Sequence, residues 1–97
     1  MAAWPLFREK HVLPNGSIIE MVIWQLPKKT PDRPHGITYR LYYGTVDGRC
    51  LVRYDNESGK SDHRHDEERE SPYTFVDVET LVSDFLADVT RARRSAS

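Results

Sequence analysis

Residues 59–65 read GKSDHRH, which brings Lys60, Asp62, His63, Arg64 and His65 into one short connection. Three kinds of chemistry compete for such a cluster. The first is metal binding: His63 and His65, at i and i+2 and flanked by Asp62 and Asp66, offer two or three ligands. A structural zinc site takes four, commonly with thiolates, and Cys50 is the single thiol of the chain. Nothing in the sequence places His11 or His35 beside the cluster. No metal and no cofactor is therefore assigned.

The second is acid–base chemistry. Two histidines beside Lys60, Arg53 and Arg40 suit metal-free phosphodiester cleavage. One removes the proton of a 2′-hydroxyl, another protonates the leaving oxygen, and the cations hold the phosphorane charge. His63, His65, Lys60 and Arg40 are the catalytic candidates on this reading. Tyr42 or Tyr54 would stack on a base, as single-stranded RNA recognition commonly requires. Arg53, Asp55, Asn56, Asp62 and Arg64 are the further candidates for substrate contact.

The third reading is an ordinary solvated turn. Glu57, Asp62, Asp66, Glu67, Glu68 and Glu70 alternate with Lys60, Arg64 and Arg69, and mixed charge of this kind is what surface connections carry. The acidic run DEERE would repel a phosphate backbone. Arg40 and Asp55 read equally well as a cross-strand ion pair, and the tyrosines as core. Composition alone favours this bland reading.

The elements that must position these residues follow from turn residues and periodicity. FREKHVLPNGSIIEMVIWQL is expected to form a hairpin, with Asn15-Gly16 as a two-residue turn that sets Phe7 opposite Trp24 and Val12 opposite Ile19. The second arm is apolar on both faces apart from Glu20 and Gln25, as in a central strand covered at least partly on both sides. Pro27 to Gly36, rich in proline and charge, is a surface loop. ITYRLYYGTVDGRCLVRYDN forms a second hairpin about Asp47-Gly48. It sets Tyr42 against Arg53 and Arg40 against Asp55 on a polar, largely basic face, with Tyr39, Leu41 and Tyr43 on a greasy one. Glu57 to Pro72 is a loop, and PYTFV a short fifth strand. Asp77 then caps a helix whose Val78, Leu81, Val82, Phe85, Leu86 and Val89 form one stripe. Arg91, Arg93 and Arg94 complement its C-terminal dipole.

The expected fold is α+β, one small domain over residues 1–97. It has an antiparallel sheet of about five strands, in two hairpins plus an edge strand, and one C-terminal helix packed on the Tyr39/Leu41/Tyr43 face. The loop histidines can then reach the opposite face, which stays at least partly open. The net charge of −1 gives no global field to attract nucleic acid, so any such binding needs a local basic patch. A lone cysteine, a first segment without an apolar h-region and apolar runs too short for a bilayer point to a cytoplasmic protein that does not engage membranes.

The order FREK, NGSIIEMVIW, YRLYYG, YDNESGKSDHRH and PYTFVDVETLVSDFLADV resembles the small TumE-type toxins of prokaryotic toxin–antitoxin modules, over about Phe7 to Val89. YDNESGKSDHRH followed by PYTF and the helix is its most specific part. Tyr54, Asp55, Asn56, Gly59, Lys60, Asp62, His63 and His65 carry that motif, while the glutamate-rich stretch between His65 and Pro72 stands outside it. The resemblance implies a growth-inhibiting toxin, proposed to act as a ribonuclease and neutralised by an antitoxin encoded beside it. The expected partners are that cognate antitoxin and an RNA substrate, with a homodimer left open. The competing class is a non-catalytic module that docks a protein or RNA on the open sheet face, where tyrosine and arginine are common anchors.

Overall fold

The structure, a computed structural model, describes residues 3–31, 33–56, 61–67 and 69–96. Among them are six strands: β1 (Trp4–Val12), β2 (Ile18–Gln25), β3 (Ile37–Gly44), β4 (Cys50–Asp55), β5 (His63–Asp66) and β6 (Arg69–Pro72). One helix follows, α1 (Val78–Ala96). The strands lie in one antiparallel sheet in chain order. The α+β architecture is thus the expected one, with the helix across one face.

Alternation decides which face is greasy. Ile19, Met21, Ile23, Tyr39, Leu41, Tyr43, Val52 and Tyr54 point to one side, and Leu81, Phe85 and Val89 of α1 close over them. The Tyr54 ring meets Phe85 edge-on at 5.7 Å and Tyr73 at 5.0 Å. Asp77 caps the helix as expected, its Oδ1 accepting from the Thr80 amide at 2.7 Å. Among the described residues no helix is long and apolar enough to cross a membrane.

Two local expectations are corrected. PYTFV is not a strand. Tyr73 and Phe75 turn inward instead, Tyr73 donating to Asp84 at 2.7 Å and Phe75 lying 4.2 Å from the His35 ring. The outer strands come from the stretch read as a loop. His63 pairs with Asp55 and Pro72, and His65 with Arg53 and Glu70. These strands lack the apolar alternation by which strands are recognised because they form the sheet margin; β6 is exposed along its whole length. The second arm of the first hairpin is covered on both faces as expected, fully on the side of Ile19, Met21 and Ile23 and partly on the other, where Ile18, Glu20, Val22 and Trp24 are half-buried.

Both large hairpins turn by the same device. Gly16 donates to the Leu13 carbonyl and Gly48 to that of Thr45. Each glycine holds a positive φ, 86° and 91°, which a side chain would resist. This adds a residue to each connection relative to a two-residue turn. In the second hairpin a shift between Tyr43 and Gly44 restores the register, so Tyr42 does face Arg53 and Arg40 does face Asp55. No such shift follows the first turn, so Phe7 faces Ile23 and Val12 faces Ile18. The slip carries Arg8 and Lys10 to the polar side, opposite Val22 and Glu20.

Candidate functional site

On the face away from the helix, cross-strand pairing assembles a row of polar side chains. Arg40 and Tyr42 stand on β3, Arg53 and Asp55 on β4, His63 and His65 on β5, and Glu70 on β6. The register alone dictates this company: Asp55 is opposite His63, and Arg53, His65 and Glu70 form the next rung.

His63 lies at the bottom of the cluster, its side chain 9% exposed. Its Nδ1 sits 2.9 Å from the Ser61 carbonyl, which can only accept, so Nδ1 carries a proton. The other nitrogen, Nε2, lies 2.7 Å from Asp55 Oδ1 and 3.4 Å from Glu70 Oε2. It has no aligned hydrogen bond among the described residues. Arg53 Nε, 3.0 Å from Asp55 Oδ2, is close without alignment in the same way.

His65 is more accessible, at 24%, and has a different pair of neighbours. Its Nε2 is 2.9 Å from Arg53 Nη2 and 3.1 Å from Glu70 Oε2. A guanidinium only donates and a carboxylate only accepts. The neutral ring therefore accepts from Arg53, and the protonated ring donates to Glu70. The two imidazoles meet edge to face at 5.6 Å.

Arg40 is exposed and places its guanidinium 5.7 Å over the Tyr42 ring. The Tyr42 phenol in turn leans along the strand over Gly44, where a Cβ would come within 2.1 Å of its oxygen. A glycine at this position allows the ring to lie as it does.

Of the remaining candidates, Lys60 falls outside the described residues. The structure places Tyr54 with Arg64, and Asn56 and Asp62 beside Tyr39, in two groups away from this row. Tyr54 is fully buried beneath the helix, where its hydroxyl meets Asp88 and Arg64; no ring face is left for a base. Burial raises its phenol pKa. Asn56 closes the end of the β3–β4 ladder by accepting from the Tyr39 amide and donating to the Ile37 carbonyl. Asp62 accepts from the Tyr39 hydroxyl at 2.7 Å and lies 3.0 Å from His35 Nε2. Burial, followed by that Asp62 hydrogen bond, pushes the Tyr39 phenol far up, so it stays a donor. These residues hold the helix side of the sheet together.

Sequence reasoning passed over Glu70, which touches both histidines. Its signal was a register: His65 and Glu70 pair across a connection that includes Glu67, with no glycine, asparagine or proline in the sequence between them. Glu67 takes a positive φ of 57° there, a conformation that favours glycine or asparagine.

No curated protein and no solved structure matches the chain. A family model described as Toxin TumE matches residues 6–93, nearly the whole sequence and every residue of the polar cluster. The chain belongs to the TumE toxin family, which makes it a toxin component of a toxin–antitoxin module with a cognate antitoxin as partner.

Proposed function

We propose that this toxin is a ribonuclease that cleaves RNA on the open sheet face without an obligatory metal. The observation that supports it is the placing of His65 Nε2 between a permanent donor, Arg53, and an accessible carboxylate, Glu70. That nitrogen has a partner in either protonation state, and a proton reaches it as Arg53 gives way and Glu70 takes over as partner. His65 takes the 2′-hydroxyl proton as the 2′-oxygen attacks phosphorus. The bond from phosphorus to the 5′-oxygen breaks, and that oxygen leaves with the proton that His65 has taken, the transient imidazolium being held by Glu70. Arg53 and Arg40 hold the charge that gathers on the phosphoryl oxygens. Tyr42 supplies a stacking face, and Arg8 and Lys10 extend the cationic track along the sheet. His63, too enclosed to touch RNA, is a positioning residue that anchors Asp55.

The test is direct. Tag-free toxin is incubated with single-stranded RNA in excess chelator, and fragments ending in a 2′,3′-cyclic phosphate are expected. RNA that binds but stays intact, with the protein folded, would instead identify a non-catalytic docking module.

A further inference from the structure

The His65 Nε2 that serves proton transfer is also arranged, with its neighbour on His63, as a metal ligand. We infer that His63 Nε2, His65 Nε2 and Glu70 Oε2 form a binding site for a divalent transition-metal ion of the zinc class, and that the ion holds the toxin inactive. The second half rests on the ribonuclease reading; the first does not.

The distances carry the site. Two ligands at zinc–nitrogen or zinc–oxygen bond lengths, in tetrahedral arrangement, stand about 3.3 Å apart. Glu70 Oε2 is 3.4 Å from one imidazole nitrogen and 3.1 Å from the other. All three donor atoms lie within 4.8 Å of one another.

The orientation of His63 is the independent observation. The Ser61 carbonyl holds the proton on Nδ1, as the backbone does for many metal-bound histidines. The lone pair on Nε2 is thereby directed at two carboxylates, in a side chain nine-tenths buried and without an aligned hydrogen bond. A lone pair facing carboxylate oxygens at these distances needs a cation between them, a proton or a metal. Asp55, beside the same nitrogen, adds negative charge against the ion's own. Two imidazoles and a carboxylate leave a coordination position open, and this donor set suits zinc rather than magnesium or calcium.

Arg53 Nη2 occupies the His65 lone pair in the metal-free arrangement. The ion must displace it, and Asp55, already 3.0 Å from Arg53 Nε, is there to receive the guanidinium. Once both Nε2 lone pairs are bound to metal, His65 cannot accept the substrate proton.

Cobalt(II) titration of tag-free toxin, followed by visible absorption, tests the site without reference to activity. One cobalt ion per chain with intense four-coordinate bands is expected, displaced by zinc. Glu70→Gln and His65→Ala alter partly exposed side chains, and thermal melting checks that both remain folded. Each should weaken binding by at least ~10-fold. A wild-type chain that binds no ion, or variants that bind as tightly as wild type, would overturn the site. In the cleavage assay one equivalent of zinc should stop the reaction and chelator restore it. Cleavage that depends on zinc would refute the inhibitory role. Cobalt bands with no cleavage under either condition would leave the metal site standing and remove the ribonuclease reading.

Discussion

His63 and His65 are two residues apart and differ in exposure, which predicts opposite consequences for the same substitution. In His65→Ala the neighbours left behind are Arg53, 30% exposed, and Glu70, 51% exposed. Water can reach both, so the stability loss should stay below about 1 kcal/mol. Cleavage, by contrast, should fall by about 10²- to 10⁴-fold, the range for a positioned general base. His63→Ala removes an imidazole packed against the Ser61 carbonyl and Asp55. It leaves a cavity and a carboxylate with one partner fewer, 6% exposed. The expected cost is about 3 kcal/mol, a fall of about 12–24 °C in Tm for a chain of this size. Cleavage per folded molecule should fall less than in His65→Ala. Melting curves and single-turnover cleavage of 5′-labelled RNA, on both variants, read the two effects separately. His65→Ala cleaving at the wild-type rate, or His63→Ala melting with the wild-type protein, would refute this division of roles.

Gly44→Ala should expel the Tyr42 ring from its place over the strand and weaken RNA binding by about tenfold, the worth of one stacked base, while the Tm changes little; fluorescence anisotropy checks it. Backbone hydrogen bonding, chiefly from Thr80, lowers the Asp77 carboxyl pKa from 3.8. Its stabilisation of the helix is therefore fully present above that value and lost as the pH falls below it. The melting difference between wild type and Asp77→Ala should accordingly shrink to nothing on acidification. Arg53→Glu should weaken both RNA and antitoxin binding, since we expect both to use the open face, whereas Arg93→Glu at the far end of α1 should affect neither much. A ternary complex of toxin, antitoxin and RNA in native mass spectrometry would exclude that competition.

The parts of this fold legible in the sequence are those written in apolar periodicity. Ile37 to Asn56 pair as the alternation predicts, and Leu81, Phe85 and Val89 are the buried stripe of the helix. Legibility fails where polarity stands in for periodicity. The β5–β6 hairpin contains His63, Arg64, His65 and Asp66 and turns at Glu67, so neither hydrophobic pattern nor turn chemistry marks it. Its pairing follows instead from continuing the β4 ladder. The first hairpin shows a subtler limit. Asn15-Gly16 correctly marks the turn, but Asn15 serves as acceptor for the Ser17 amide rather than as a positive-φ residue. One residue of difference in the connection then exchanges the faces of β1. The site was legible as a cluster of candidates and not as a geometry. Tyr54 and Arg64 sit next to Arg53, Asp55, His63 and His65 in sequence, yet the pleat sends them to the helix side.

Glu70 reaches both imidazoles from the outermost strand of the sheet. That strand is exposed throughout and joined to the sheet by four residue pairs with β5. A margin with so little buried apolar surface separates at a free-energy cost well below that of global unfolding. Its amides should exchange with deuterium through local opening, long before those of β3 and β4. Each opening withdraws the carboxylate that His63 and His65 share and leaves the His63–Asp55 contact behind. The assembled cluster is thus one member of a local equilibrium, and its population is tuned by the strength of a short polar hairpin. A protein segment adding as a strand along the free edge of β6 would shift that equilibrium, and so adjust the toxin from the side, without covering the face on which RNA lies.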